Sequence, residues 1–455
     1  MTRVAIIGGG ITGLSTAYYL KQLDSNVEVD LYEASDRFGG KVKTYRDEDY
    51  TLELGPESYL GRKVIMTELA KSLGLENELV RNQVGQSYIY ANNRLHPMPG
   101  GSILGIPTEI VPFMKTGLLS PQAKVRAGME LFVPKTTDRV DISLGQFFRQ
   151  RLGNGVLENI IEPLLSGIYG GNIDRLSLES TFPMFRDQVI QQGSLIKGMA
   201  ETKKARRGQS STDGGQFLQF KSGLESMIDA LVEAVEKMGV NTYPNSKVDY
   251  NYDGQHQVIV NDDVVAYDNV VITTPHQVFK RWFSDDAMFT WFNQMPSTSV
   301  ATVLLVFDES QVHNEHEGTG FVVARNSDVH ITACTWTNKK WPHTTPEGKV
   351  VLRAYIGKPD DPIVEHATDD ELVNIALSDL NEVMTIDGRP ERSFVTKLVR
   401  SMPQYEVGHK RYMDILKSHI NQQYPGLIIT GASIDAVGLP DCVGFGKASA
   451  EQILT

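Results

Sequence analysis

Apolar residues recur along this chain in two rhythms, and the order of the rhythms already outlines a fold. Val4, Ala5, Ile6 and Ile7 form a short unbroken apolar run, the pattern of a strand buried on both faces of a parallel sheet. Residues 11–20 then read as a helix and 27–32 as a second strand. Leu144, Phe147, Phe148, Leu152 and Val156 fall at helical spacing inside a region, about 110–200, richer in helical pattern than its surroundings. Residues 217–220 follow, then an amphipathic helix opened by Ser222-Gly223-Leu224 and running through Met238, then strands at 247–250 and 257–260. Residues 269–274 predict a buried strand ending at Pro275. Residues 298–307, 321–324, 331–336 and 349–355 are strongly β in composition and predict one antiparallel sheet. Near the end, 426–431 predict another buried strand, followed by a loop at 435–443 and a last helix at 444–454.

The first run leads straight into candidate chemistry. Gly8-x-Gly10-x-x-Gly13 follows the strand at once and opens the helix. Gly8 permits the tight turn, Gly10 lets the backbone approach a pyrophosphate, and Gly13 allows close helix packing. Gly9, Ile11 and Thr12 complete the loop whose amides face phosphates at a helix N-terminus. Glu33 ends the second strand, twenty positions past Gly13, where a carboxylate accepts hydrogen bonds from ribose hydroxyls. Strand, glycine turn, helix, strand and acid in register predict a dinucleotide cradle. The terminal strand, turn and helix predict a second place where amides meet the same ligand, so the two ends belong to one α/β nucleotide-binding domain.

Composition narrows the field. The 455 residues suffice for two or three cores, with 41% apolar residues and a net charge of −12. That charge argues against nucleic acid as a partner and gives no general attraction to an anionic membrane. The two cysteines, Cys334 and Cys442, lie far apart without metal-ligand spacing, so no metal or disulfide framework is expected and a reducing cytoplasm fits. The first strand starts within three residues, with no pattern of a secretory signal. Residues 103–119 contain Pro107, Glu109, Pro112 and Lys115 and are not a spanning helix; a surface segment packed on the helical part, a peripheral membrane contact or a cap over a hydrophobic substrate mouth is the expectation. Residues 202–216, basic and Gly/Ser-rich, predict a mobile surface loop. His96, His276 and His409 have no carboxylate or cysteine at telling spacing and read as structural histidines.

The stretch Glu33-Ala34-Ser35-Asp36-Arg37-Phe38-Gly39-Gly40-Lys41 resembles the segment after the acid in flavoproteins of the amine oxidase, phytoene desaturase and protoporphyrinogen oxidase group, which favours FAD over NAD. That group usually ends the motif in arginine; Lys41 keeps the positive charge and loses the bidentate fork. Gly55-Pro56-Glu57-Ser58 with Arg62-Lys63, Leu95-His96-Pro97-Met98-Pro99, and Glu162 through Gly171 (EPLLSGIYGG) are similar to porphyrinogen-oxidising flavoproteins. So are Met402-Pro403-Gln404-Tyr405 with Gly408-His409, and Gly438-Leu439-Pro440-Asp441-Cys442. They stand in family order from end to end. Thr335-Trp336-Thr337-Asn338-Lys339-Lys340-Trp341 is most like the soluble Gram-positive type.

The resemblance implies an FAD-binding Rossmann-like domain built from discontinuous segments (1–85, 201–275 and 401–455), a mixed-sheet substrate domain (86–110 and 276–400) and a helical domain (111–200). FAD, held non-covalently, is expected at Gly8 to Gly13, at Glu33 and Ala34 on the ribose, and at Gly40 and Lys41 near the phosphate. Gly55, Pro56, Glu57 and Ser58 are expected near the isoalloxazine, Val248 on the adenine side, and Val437, Gly438 and Leu439 at the pyrimidine edge. Leu398 departs from the family, which commonly has tryptophan four positions before the Met-Pro-Gln-Tyr motif. The implied reaction is oxidation of coproporphyrinogen III by dioxygen with peroxide release, in cytoplasmic heme synthesis, with a downstream ferrochelatase as a candidate partner. The substrate wants an apolar site that is cationic at its propionates. The candidates are Arg62 and Lys63 for propionates, Gly167 and Ile168 for backbone approach to the pyrroles, and Phe321 and Trp336 as macrocycle walls. No acid or base of the protein is assigned to the chemical step. A protoporphyrinogen oxidase shares every motif and is the nearest alternative; a catalytically silent flavin-binding or heme-carrier protein is the alternative of another class. An amine oxidase fits less well, because no pair of aromatics stands in a pattern that would sandwich an amine.

Overall fold

A computed structural model describes residues 2–135, 139–207 and 214–455 of the chain. They form two compact units, Met1–Asn82 with Gly215–Met295 and Arg411–Thr455, and Gln83–Gly214 with Pro296–Lys410.

The first unit is organised by a five-stranded parallel sheet. Its order is Asn241–Tyr243, β2 (Glu28–Tyr32), β1 (Arg3–Ile7), Asn269–Ile272 and Leu427–Ile429. Val4, Ala5 and Ile6 of the central strand are wholly buried, as an apolar run in a doubly covered strand requires. Helix α1 (Ile11–Leu23) follows β1 and buries Leu14, Ala17 and Leu20. The helix Glu225–Lys237 presents Met227, Ile228, Leu231 and Val235 to the same core, one face of its amphipathic pattern. The strands Val248–Tyr252, His256–Val260 and Asp263–Tyr267 form, in that order, a small separate antiparallel sheet. The last helix spans Leu439–Ile453, five residues earlier than its two glycines suggested. Gly438 is its N-cap and Pro440 lies in its first turn, where a missing N–H costs nothing.

In the second unit the expected antiparallel sheet is present but larger, with seven strands. The order is Arg392–Pro403, Ser297–Asp308, Lys349–Ile356, Ile331–Trp336, Gly320–Val323, Ser87–Ala91 and Arg94–Pro97. All neighbours are antiparallel except Gly320–Val323 with Ser87–Ala91, so the sheet is mixed. The helix Asp369–Asn381 covers it with Leu372, Val373, Ala376 and Leu380. The helical part of this unit includes Leu144–Leu152, whose Leu144, Phe147, Phe148 and Leu152 are buried; Gly153, at φ +83°, ends it. Part of the expected loop at 202–216 is instead helical, because the helix Leu195–Arg207 extends into it. Residues 208–213 of that segment lie outside the described residues. Within 103–119, the helix Ile110–Lys115 buries Phe113 and leaves Ile110 80% and Val111 62% exposed. Among the described residues, no helix is long and apolar enough to cross a membrane.

One buried charge fastens the helical part. Glu130, with no exposed surface, accepts hydrogen bonds from the Leu195 and Ile196 amides at 2.8 and 3.3 Å, at the N-terminus of the helix Leu195–Arg207. Its carboxylate also lies 3.3 Å from the Arg151 guanidinium, which burial pushes below its ordinary value while Glu130 opposes the shift. Glu130→Ala removes both the helix cap and the counter-charge of a buried arginine. Denaturant unfolding is expected to show a loss of about 3–5 kcal/mol, and an unchanged midpoint would contradict this role.

Candidate functional site

The functional residues of the first unit gather at the carboxyl edge of its parallel sheet. Gly8, at φ +112°, turns the chain out of β1, and the next residues lead directly into α1. A Cβ on Gly13 would lie 2.0 Å from the Gly8 carbonyl oxygen, so only glycine lets the helix start this close to the strand. A Cβ on Gly10 would meet nothing within 4 Å, which leaves open space where backbone amides face outward.

The turn after β2 closes over this loop. Glu33 accepts from the Gly9 amide at 2.8 Å through one carboxylate oxygen, and from the Ser35 amide and hydroxyl at 2.8 and 2.7 Å through the other. Its carboxylate is thereby oriented while keeping lone pairs for a diol. Ala34 is exposed beside it. The Gly39 amide bonds the Gly9 carbonyl at 2.8 Å, and a Cβ on Gly40 would sit 3.5 Å from Gly10 Cα, so Lys41 leaves directly from the loop. Burial pushes the Lys41 ammonium below its ordinary range and nearby Cys442 opposes the shift. A cation so disposed gains strongly from an anion such as a pyrophosphate. Arg37 locks the turn, pairing with Glu225 at 2.9 Å and donating to the Gly40 carbonyl at 2.9 Å. Burial pushes the Glu225 carboxyl up, but the Thr44 amide and the Arg37 guanidinium outweigh it and hold it below its usual range.

Other segments of the unit reach the same edge. Gly55 is buried where a Cβ would fall 1.8 Å from the Lys41 carbonyl oxygen, which brings 55–58 against the phosphate turn. The Ser246 amide donates to the Glu33 carbonyl at 2.8 Å, which ties the segment leading to Val248, two residues on, to the end of β2. Val437 and Gly438 precede the N-terminus of the helix Leu439–Ile453, whose Gly446 packs within 2.7 Å of the Thr12 carbonyl if given a Cβ. Two threonines had no motif to mark them. Thr273 Oγ1 donates to the Gly8 carbonyl at 2.9 Å, and Thr274 Oγ1 is buried with no hydrogen-bond partner among the described residues. Both end the strand Asn269–Ile272, beside the glycine loop; a Thr-Thr-Pro after an apolar run was the available signal. Open space at Gly10, a poised carboxylate, a half-buried cation and an orphaned hydroxyl fit FAD.

The family model for flavin containing amine oxidoreductases matches residues 11–454. The chain belongs to that family. Within it, the coproporphyrinogen III oxidase of Staphylococcus aureus is 55% identical, over 99% of this chain and 98% of that protein. The Bacillus subtilis coproporphyrinogen III oxidase is 46% identical over the same shares. A crystal structure from Exiguobacterium sp. 255-15, provisionally assigned as a protoporphyrinogen oxidase, superposes with a TM-score of 0.89 at 37% identity, covering 99% of this chain and 98% of that one. The chain is therefore an FAD-dependent flavoprotein of the coproporphyrinogen III oxidase group.

The candidate substrate residues fare unevenly. Arg62 is exposed in the turn before the helix Val64–Ser72. Lys63 is not free for a propionate, since Asp441 holds its ammonium at 2.6 Å through both carboxylate oxygens. Gly167 and Ile168 lie on an exposed face of the helix Glu162–Tyr169, where a Cβ on Gly167 would meet nothing. Phe321 and Trp336, expected as macrocycle walls, are 3% and 1% exposed in the sheet core, with ring centroids 6.5 Å apart. Both belong to one buried cluster with Tyr90, Leu352 and Ala354, so each packs as core. Leu398 sits half-buried on the edge strand opposite Val300. Of the histidines, His276 bonds Ser433 Oγ through its amide and Nδ1 at 3.0 and 3.1 Å, and the His409 ring stacks on Tyr405 at 4.3 Å. Burial lowers the pKa of His96.

Gly10 and Gly13 separate binding from folding. Gly10→Val is expected to leave the thermal midpoint of the apoprotein near wild type and to lower FAD retention at least tenfold, read from flavin absorbance after gel filtration. Gly13→Val is expected to lower the apoprotein midpoint itself. Equal flavin retention in Gly10→Val and wild type would remove the glycine loop from the cofactor site.

Proposed function

We propose that this protein oxidises coproporphyrinogen III to coproporphyrin III, with dioxygen as the final acceptor and hydrogen peroxide released, as a cytoplasmic step of heme synthesis. The observation that carries the reading is likeness over the full length to the coproporphyrinogen III oxidases, together with a cradle suited to FAD. When bound, FAD supplies the two-electron acceptor for each round.

The substrate needs little acid or base from the protein. A meso carbon flanked by electron-rich pyrroles gives up hydride as a pyrrole nitrogen loses its proton, and growing conjugation drives each round. The protein's task is positioning. The glycine loop and Glu33 fix the cofactor's nucleotide end, and Gly167 with Ile168 offer a backbone surface, with no side chain at the glycine, for the flat macrocycle. Arg62 supplies a cation for a propionate, whereas Lys63 is already neutralised by Asp441. The porphyrin then passes to metal insertion, for which a ferrochelatase is the proposed consumer. Ile110 and Val111, with Phe132 at 84% exposure, supply exposed apolar surface suited to peripheral membrane contact.

Porphyrin fluorescence is the direct test. FAD-loaded protein in air should generate fluorescence from coproporphyrinogen III with at least tenfold higher kcat/KM than from protoporphyrinogen IX. The reverse preference would move the protein to the later step, and no fluorescence from either would leave it a silent flavin binder. Arg62→Ala is expected to raise KM for coproporphyrinogen III severalfold with a smaller change in kcat. An unchanged KM would take Arg62 out of the substrate site.

A further inference from the structure

The Met402-Pro403-Gln404-Tyr405 and Gly408-His409 motif has no part in the cradle, yet within the second unit it is zipped onto the segment that follows the helix Glu162–Tyr169. The Ser177 amide donates to the Tyr405 carbonyl at 2.8 Å, and the Val407 amide to the Arg175 carbonyl at 3.1 Å. Asp141 gathers the corner, accepting from the Gly408 amide at 2.9 Å and the Ser177 hydroxyl at 2.7 Å. Tyr405 lies edge-on to Tyr169, with centroids 6.2 Å apart, and the His409 ring stacks on it.

Gln404 stands at the centre of this clamp, 6% exposed. Its Nε2 donates to the Tyr169 carbonyl at 2.8 Å and to the Met402 carbonyl at 2.9 Å. Tyr169 is the last residue of the helix, so its carbonyl is one of those that a helix leaves without an internal partner. One nitrogen with two N–H groups can serve two carbonyls at once, and no other neutral side chain of this length does so. The orientation is forced, since the flipped amide would aim its oxygen at both carbonyls. The remaining Oε1 is buried without a partner among the described residues, and a Cβ on Gly171 would fall 1.9 Å from it. The site thus gives up one acceptor and requires a glycine in order to hold the helix end.

We infer that Gln404 is a positioning residue for the oxidation: its amide fixes the carboxyl end of the helix Glu162–Tyr169 and, through it, the exposed Gly167-Ile168 face. The inference rests on the reading that this face carries the macrocycle. Gly167 and Ile168 are in the last turn of the helix, the turn that frays when its carbonyls lose their partners. A displacement of about an ångström at a reacting carbon costs about a hundredfold in rate.

Gln404→Leu and Gln404→Glu in the FAD-loaded full chain test it. Gln404→Leu is expected to lower kcat/KM for coproporphyrinogen III about 10–100-fold while flavin content and air reoxidation of photoreduced flavin stay at wild-type values. Gln404→Glu places a carboxyl between two carbonyls, where only the protonated form can donate. Its activity relative to wild type is expected to rise as pH falls through the titration of that carboxyl, a limb the wild-type profile lacks. If Gln404→Leu does not fold, the Gln404→Glu profile decides. Wild-type kinetics in folded Gln404→Leu, or a Gln404→Glu profile parallel to wild type, would overturn the inference. Failure of the wild-type protein to oxidise coproporphyrinogen III would instead overturn the proposed function.

Discussion

The nucleotide-binding unit depends on how near α1 comes to the end of β1. At Gly13 the approach leaves no room for a side chain, since the Gly8 carbonyl oxygen lies 2.0 Å from where a Cβ would be. That contact sets the direction of the first-turn amides and therefore where an anion gains most from them. The other parts converge on the same spot. Glu33 is tied back to the loop through the Gly9 amide, Thr273 donates to the Gly8 carbonyl, and Gly39 pairs with Gly9. The parallel sheet makes this possible, because only parallel strands bring the ends of β1, β2 and the strand Asn269–Ile272 to one edge.

Buried and half-buried polar groups in the two units serve placement more than net stability. Glu130 caps a helix and neutralises Arg151, and Arg37 with Glu225 holds the turn that carries Lys41. A buried ion pair offsets its desolvation only when its geometry and hydrogen bonds are satisfied. Here each carboxylate has backbone amides as additional donors, which lets segments distant in sequence meet at defined points.

The parallel sheet and glycine cradle were legible because apolar runs, a glycine turn and an acid must occur in register for either to form. The long strands Ser297–Asp308 and Lys349–Ile356 were legible for the same reason. The edge strand Arg392–Pro403 was not, since half-buried positions and the interspersed Arg392, Lys397 and Arg400 blur its period, and neither was the parallel pairing of Ser87–Ala91 with Gly320–Val323, which depends on a partner distant in sequence. Glycines and a proline hid the first turn of the last helix, and good helix formers carried Leu195–Arg207 into a stretch whose polarity suggested a loop. In the site, flavin positions are readable from steric necessity at glycine. Substrate positions are less so, because an aromatic looks alike in a core and in a binding wall, as Phe321 and Trp336 show, and because Lys63 finds its partner Asp441 only in three dimensions.

In the proposed reaction the cradle holds a flavin that takes hydride from a meso carbon of the porphyrinogen. Anaerobic mixing of the FAD-loaded protein with coproporphyrinogen III, followed by flavin absorbance and porphyrin fluorescence in one cuvette, tests it most directly. The flavin is expected to bleach as the substrate loses its first two electrons, and to regain its colour when air is admitted and later rounds carry the substrate on to fluorescent porphyrin. Flavin that stays oxidised in excess coproporphyrinogen III without air would contradict that reaction.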